Sequence, residues 1–281
     1  MADFYKGVIP ILDPDRVGDR DTLHPKGQAK GYVERDYNLY PEPMFSPPSE
    51  MELIPESEWD ARYDEQEATQ SSLEHIFLSG QGGKPAFVNL DQNGDGYCWA
   101  YSTGHSIMLD RLAQNLPLIR LNPHGPAAII KKGKNEGAWC GLSAQFGRDN
   151  GYPVEGTGTG QWPKWSRDYK KYDTPACREQ MALHQISEDW CDMTRQVYDQ
   201  NLTRGQVATC GFNNIVGPRD YNFWSHSVCG VRWVRISKGN WGQLILNSWL
   251  NWGRYGLAVL QGSQAICNGG LGVRRTTASA A

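Results

Sequence analysis

The sequence predicts an α+β protein of two lobes, a helical lobe followed by a strand-rich one. Apolar residues recur at helical spacing from Cys98 to about Asn115 and again further on, whereas beyond Gly205 short apolar runs are punctuated by glycine and asparagine. Helices first and strands later argue for segregated layers of the α+β kind. The 281 residues suffice for one large domain, or two small ones sharing an interface, around a real core.

Residues 1 to about 52 are rich in Pro, Asp, Tyr and Glu, as in Tyr40-Pro41-Glu42-Pro43 and Ser46-Pro47-Pro48, and show neither helical nor strand periodicity. They read as an extended N-terminal arm, packed on its own domain or docked on a partner protein or assembly. The main domain is expected over 53–270, with a helical lobe at about 53–204 and a β-rich lobe at about 205–262. Trp99, Ile107, Met108 and Leu112 fall near helical spacing with Asp110 and Arg111 outward, so a helix should begin at or just before Cys98. A second helix is expected after Cys140. A third is expected over 180–200, through Met181, Leu183, Ile186, Trp190, Met193 and Val197. Strands are expected over 206–209, 228–231, 242–246 and 256–260. Residues 271–281 read as a flexible tail, and no internal repeat is present.

Composition excludes several functions. A net charge of −3 without a basic stripe argues against nucleic-acid binding. No stretch approaches the roughly 18 apolar residues of a membrane helix, so no membrane role is expected. Met-Ala-Asp-Phe-Tyr-Lys-Gly lacks the basic and apolar regions of a signal peptide, which points to an intracellular protein or one released within a larger particle. Seven cysteines without regular spacing suit thiols better than a disulfide framework, and no Cys-x-x-Cys pair starts a zinc site. No metal or organic cofactor is expected. Asp91-x-Asn93-x-Asp95-Gly96 opens like a calcium loop, but Ser102 stands where the bidentate glutamate belongs. Gly156-Thr157-Gly158-Thr159-Gly160 precedes Trp162-Pro163 rather than a helix start and reads as a loop, not a phosphate cradle. His24, His75, His105, His124 and His184 show no metal-ligand spacing.

The chemistry is concentrated in three short segments. A cysteine at the first turn of a helix has its thiolate favoured by the helix dipole. A histidine can take its proton and later return one to a leaving group. One amide can orient that histidine, and another can donate to the oxyanion formed in acyl transfer. The segments are Gln92-Asn93-Gly94-Asp95-Gly96-Tyr97-Cys98-Trp99-Ala100-Tyr101-Ser102, Ser225-His226-Ser227-Val228, and Asn247-Ser248-Trp249 with Trp252-Gly253.

Together, in this order, they resemble the papain and cathepsin family of cysteine peptidases. Ile54-Pro55-Glu56-Ser57-Glu58-Trp59-Asp60-Ala61-Arg62 is similar to the family's mature start, and Gly137-Ala138-Trp139-Cys140-Gly141-Leu142 stands where its glycine-rich cleft wall would be. The resemblance spans residues 54 to 262 patchily. It implies a papain-like fold, with a helical lobe and a β-barrel-like lobe facing across an active-site cleft. It implies Cys98 as nucleophile, His226 as its base and acid, Asn247 as the residue orienting the imidazole, and Gln92 with the Cys98 amide as oxyanion hole. Trp249 would shield the His–Asn hydrogen bond, and Trp139, Gly141, Trp249 and Tyr97 would border the substrate. The implied reaction is hydrolysis of a peptide or isopeptide bond in a protein or peptide substrate, through an acyl-thioester.

The departures are specific. Asp95 stands where the family has a cysteine, leaving Cys140 as a thiol. Tyr97 stands where a small residue is usual and would crowd the cleft. The segment after Asn247-Ser248-Trp249 is one residue short, and the arm lacks the helical signature of the family's inhibitory propeptide. Two other classes remain open: a structural or binding subunit of a larger assembly such as a virus particle, built on the same scaffold, and another thiol acyl-transfer enzyme, a transamidase or cell-wall amide hydrolase.

Overall fold

The computed structural model describes residues 3–40, 53–80, 84–156, 161–188, 200–273 and 275–276. The centre of the helical lobe is α4, Cys98–Ala113. The turn at Asn93-Gly94, both at positive φ, delivers the chain to its start. Every residue of α4 from Cys98 to Arg111 is buried, Asp110 and Arg111 included, which corrects their expected outward placement. A helix clothed on all sides carries its polar groups inward only with partners. Ser102 Oγ meets Ser227 Oγ at 2.9 Å, Thr103 Oγ1 meets Ser143 Oγ at 2.5 Å, and Ser106 donates to the Cys229 sulfur at 3.3 Å.

Around α4 lie α2 (Trp59–Thr69), α3 (Leu73–Leu78), α5 (His124–Lys131), α6 (Cys140–Asp149), α7 (Pro175–Ala182) and α8 (Gln200–Phe212). Ser72 caps α3, and Thr174 caps α7 ahead of a proline at its first position. The helix expected after Cys140 is α6. The one expected over 180–200 is different: α7 ends at Ala182 and Ile186 opens the strand β3 (Ile186–Glu188), while Trp190, Met193 and Val197 lie outside the described residues. Residues 206–209, expected as a strand, belong to α8. Val207, Ala208, Thr209 and Cys210 are all buried there, and an apolar run buried on every side has no period to distinguish helix from strand.

Seven strands among the described residues form one sheet. β4 (Gly217–Tyr221), β5 (His226–Ser237), β6 (Asn240–Leu246) and β7 (Leu257–Leu260) run antiparallel in sequence order, and β8 (Gly269–Gly270) closes one edge beside β4. The sheet is open at both edges rather than wound into a barrel.

The other edge comes from the N-terminus. β1 (Asp3–Tyr5) pairs with β2 (Ile9–Leu12), and β2 lies parallel to β7 with Ile11 opposite Val259. A helix, α1 (Val17–Leu23), follows. The sequence reading found no strand periodicity in this segment, and β1 and β2 correct that for residues 3–12. Ile9, Ile11 and Leu12 are buried, but the intervening Pro10 interrupts any alternation. Residues 41–52 lie outside the described residues. At the C-terminus, β9 (Arg275–Thr276) pairs with β3 and Val273 bridges Val216, so the start of the expected tail is paired chain; residues 277–281 lie outside the described ones. No described helix is long and apolar enough to cross a membrane.

Candidate active site

Cys98 is the first residue of α4, with Tyr97 as N-cap and no acidic residue in the first turn. The positive end of the helix dipole therefore has no carboxylate of its own, leaving it to act on a thiolate or oxyanion. Backbone amides of Ser227, Gly31 and Trp99 favour the sulfur's charge, yet burial is the larger effect and pushes the thiol up to about 12. In this closed arrangement the sulfur is a neutral thiol, opposite to the helix-start expectation.

His226 opens β5, one residue before the amide that reaches the Cys98 sulfur. Its Nε2 lies 2.8 Å from Asn247 Oδ1, which also accepts the Ser248 amide at 2.7 Å. An amide oxygen accepts, so Nε2 carries the proton and Nδ1 keeps its lone pair. That Nδ1 is buried with no hydrogen-bond partner. Burial, first among the causes, lowers the imidazole to about 3, with the Asn247 bond opposing. Trp249 stacks on the imidazole, 4.3 Å between centroids and 23° apart, and Trp224 meets it at 4.8 Å. These rings keep water from the His226–Asn247 bond.

Gln92 is held at three points. Its backbone N–H donates to Ser248 O at 3.0 Å, which fixes the loop at this point. Its side-chain oxygen accepts from the Ser248 hydroxyl at 2.7 Å, which turns Nε2 toward the Asp95 carbonyl and the cleft. Asn89 steadies the same loop by donating to the carbonyls of Asn247 and Trp249. Ser248 lies inside the Asn247-Ser248-Trp249 motif and was legible; Asn89, three residues before Gln92 and outside any motif, had no sequence signal.

The cleft is occupied by the chain itself. Gln92 Nε2 donates to Ala29 O at 2.9 Å, the Gly31 amide reaches the Cys98 sulfur, and Tyr32 N–H donates to Ser225 O at 3.2 Å. Ala138 donates to Gly31 O at 2.7 Å and accepts from Val33 N–H at 3.2 Å, a parallel bridge. Residues 29–33 thus form a strap over the site, and Cys98, Gln92, His226 and Asn247 are each 0 % exposed. The strap fits because Gly31 lacks a side chain: a Cβ there would stand 1.8 Å from Gly96 O.

The remaining expected residues divide. Trp139 borders the strap, under the Arg35 guanidinium at 4.7 Å and the Tyr40 ring at 5.7 Å. Gly141 makes room for Trp139, whose ring a Cβ would meet at 1.8 Å. Trp249 lies behind the imidazole, fully buried, rather than at a substrate surface. Tyr97 does not crowd the cleft. Its ring turns into the helical lobe against His124, 5.0 Å between centroids, and its hydroxyl donates to Lys134 O at 2.8 Å. Asp95 lies 3.3 Å from His124 Nε2 and 3.8 Å from Arg167, and Asn135 Oδ1 accepts the Gly96 amide, so polar contacts hold this loop. No disulfide joins any of the six described cysteines.

No family model matches the sequence, and no curated protein matches it at a significant level. Solved structures do match. The chain is similar to xylellain, a cysteine protease from Xylella fastidiosa, with a TM-score of 0.57 and 16% identity over 88% of this chain and 96% of that one. It is similar to procathepsin B S9 from Trypanosoma congolense, with a TM-score of 0.55 and 13% identity over 89% and 87%. A recombinant stem bromelain precursor gives a TM-score of 0.54 and 14% identity over 92% and 80%. These neighbours are papain-like cysteine proteases, and the fold of this chain is papain-like.

Proposed function

Starting from a papain-like fold, we propose that the chain is a cysteine peptidase in a latent form, hydrolysing peptide bonds with Cys98, His226 and Asn247. The observation that carries this reading is the 2.8 Å contact of His226 Nε2 with Asn247 Oδ1. Asn247 fixes the proton on Nε2 and leaves a buried, unpartnered Nδ1 as the base for a thiol. Once the strap is displaced, water and substrate relieve the burial that holds both groups neutral. The Cys98 proton passes to Nδ1, the thiolate attacks the substrate carbonyl, and the imidazolium returns the proton to the leaving amine. Water then cleaves the acyl-thioester by the same base. Gln92 supports the oxyanion role because it already donates to a carbonyl, that of Ala29.

Latency is supported by the strap and by its polarity. The parallel bridge between Tyr32 and Ala138 fixes one chain direction, with Ala29 at the oxyanion donor and Val33 farther along the wall. Two of the three solved neighbours are themselves precursor forms by name.

The test is alkylation by an epoxysuccinyl thiol probe with peptide mapping, on wild-type chain and on Gly31→Ala, with Cys98→Ala and His226→Ala controls. Selective modification of Cys98 that vanishes with His226→Ala, together with cleavage of a peptide library, supports the peptidase. Cys98 reacting no faster than the other thiols in the opened protein sinks it and leaves a scaffold as the better account.

A further inference from the structure

The two halves of the site ride on different parts of the chain. Cys98 starts α4, whereas His226 opens β5 and Asn247 directly follows β6. Acyl transfer needs such groups held to within about 0.5 Å of their working positions. From the α4 side, Asn89 spans the gap. It is 4% exposed, and its Nδ2 donates to Asn247 O at 3.0 Å and to Trp249 O at 2.9 Å, one carbonyl on either side of Ser248. A side-chain amide nitrogen carries two protons, so both are used. The amide lies against Gly256, where a Cβ would stand 2.8 Å from Asn89 Cγ. Gly256, at φ +86°, accepts the Asn247 N–H at 2.9 Å. The main chain of Asn247 is therefore gripped at its carbonyl and at its N–H. The other end of the grip is fixed to α4. Leu90, the next residue, donates its N–H at 2.7 Å to Nε2 of His105, a fully buried side chain seven residues after Cys98 on the same helix. Hydrogen bonds thus run from α4 through His105 and the 89–90 segment to the residue that orients His226.

Resting on the peptidase reading above, we propose that Asn89 is a positioning residue for the acyl transfer: it sets the backbone of Asn247, and through Asn247 the imidazole of His226, against the helix that carries Cys98. It touches neither the sulfur nor the imidazole and acts through Asn247. Without its two donors, the carbonyls of Asn247 and Trp249 lose these partners and the 247–249 loop relaxes, while Gln92 and Ser248 keep their own bonds. An imidazolium is then held less well by Asn247, so the Cys98 thiolate forms at higher pH. The Ala138 wall belongs to the helical lobe and is unaffected, so the loss falls on turnover rather than on substrate binding.

The experiment is a double-mutant cycle on the full chain in the opened Gly31→Ala background, combining Asn89→Ala with Asn247→Ala. Turnover of a fluorogenic peptide and the pH dependence of Cys98 alkylation by iodoacetamide are both read. Asn89→Ala should lower kcat about tenfold or more, the scale of two lost hydrogen bonds, with KM within about twofold. It should also move the acid limb of Cys98 alkylation up by about one pH unit. In the Asn247→Ala background the same substitution should change kcat by less than about twofold, because the residue it acts through is gone. An unchanged kcat, a tenfold loss repeated in the Asn247→Ala background, or a loss that leaves the acid limb in place would overturn the assignment. Asn89→Asp keeps the shape and removes both protons, and it repeats the cycle should the alanine variant fold poorly. If the Gly31→Ala parent turns over no peptide and its Cys98 reacts no faster than the other thiols, the peptidase reading itself falls, whatever Asn89 does.

Discussion

Replacing Gly31 by alanine tests the latent state directly. The new methyl would stand 1.8 Å from the Gly96 oxygen and 2.3 Å from its carbonyl carbon, and ordinary contact begins at 3.4 Å. Both obstacles are backbone, at the tightly bent entrance to α4, so the strap must move instead. Gly31 O has no slack either, since it already accepts from Ala138 at 2.7 Å. A displacement of this size exceeds the tolerance of hydrogen bonds and breaks the four N–H···O bonds made by Ala29, Gly31, Tyr32 and Val33. At about 0.5–1.5 kcal/mol net apiece, their loss shifts the closed–open equilibrium by about 2–6 kcal/mol. The Cys98 alkylation rate should therefore rise at least about thirtyfold. The assay is quenched iodoacetamide labelling with peptide mapping, and Cys229, on β5 and buried against α4, serves as internal reference. Cys98 accelerating while Cys229 stays slow is the expected result. Wild-type labelling of Cys98 would refute the strap as a gate, and equal acceleration of Cys229 would mean global unfolding rather than opening.

Three further expectations concern the base, pH and a buried charge. In the Gly31→Ala background, His226→Ala should lower Cys98 reactivity at neutral pH by about a hundredfold or more, the contribution of a positioned base; the same labelling assay measures it. His105 and His226 are held down to about 3 and His124 to about 4, each first by burial, against an ordinary 6.5. A group whose pKa is lowered by folding stabilises the fold above its unfolded pKa and loses that stabilisation as pH falls. Asp110, raised by burial to about 7, works with the opposite sign over the same range; calorimetry should therefore show stability falling below pH 6.5 with a net slope approaching about 2.7 kcal/mol per pH unit for three such groups less one, and a flat profile to pH 4.5 would contradict it. Arg232, fully buried, pairs with Glu74 at 3.1 Å and Glu67 at 2.9 Å, and Glu74 is itself fully buried. Arg232→Leu leaves that carboxylate with only the Tyr5 hydroxyl and half-exposed Lys6, at 3.3 Å, and should cost about 3 kcal/mol in urea unfolding, whereas Arg235→Ala, on exposed Asp60 and Asp64, should cost less than about 1.

What could be read from the sequence was local. The Cys98 helix, β6 and β7 are announced by contiguous patterns, and Gln92, His226 and Asn247 by short motifs. The strap was not readable for a definite reason. Its contacts to Ser225 and Ala138 are main chain to main chain, and Gln92 grips a carbonyl, so no side-chain type marks the pairing. Gly31 is meaningful only beside Gly96, sixty-five residues away. The upward pull of burial on the Cys98 thiol comes from the covering strap, which opposes the helix start and which no side-chain type announces.

The N-terminal segment therefore has two opposed parts, and they can be separated. Residues 3–23 build the site. β2 completes the sheet beside β7, Tyr5 donates to Glu74 at 3.1 Å, and Gln261 N–H donates to Leu12 O at 2.9 Å. Trp252 Nε1 donates to Thr22 O at 2.9 Å and Trp224 Nε1 to Leu23 O, which ties α1 to the rings packed around His226. Residues 29–33 block the site. A cut in the exposed stretch at Val33, Tyr37 or Leu39 should free the strap without releasing the first 23 residues, because sheet pairing and the tryptophan contacts hold them. Limited proteolysis should yield two fragments that co-elute, with Cys98 more reactive than in the intact chain. Deleting residues 1–23 should do the reverse, loosening Trp224 and Trp252 and returning Cys98 to ordinary thiol reactivity. If the nicked N-terminal fragment dissociates and Cys98 nonetheless stays activated, the segment is a simple plug, and its strands contribute nothing to the catalytic geometry.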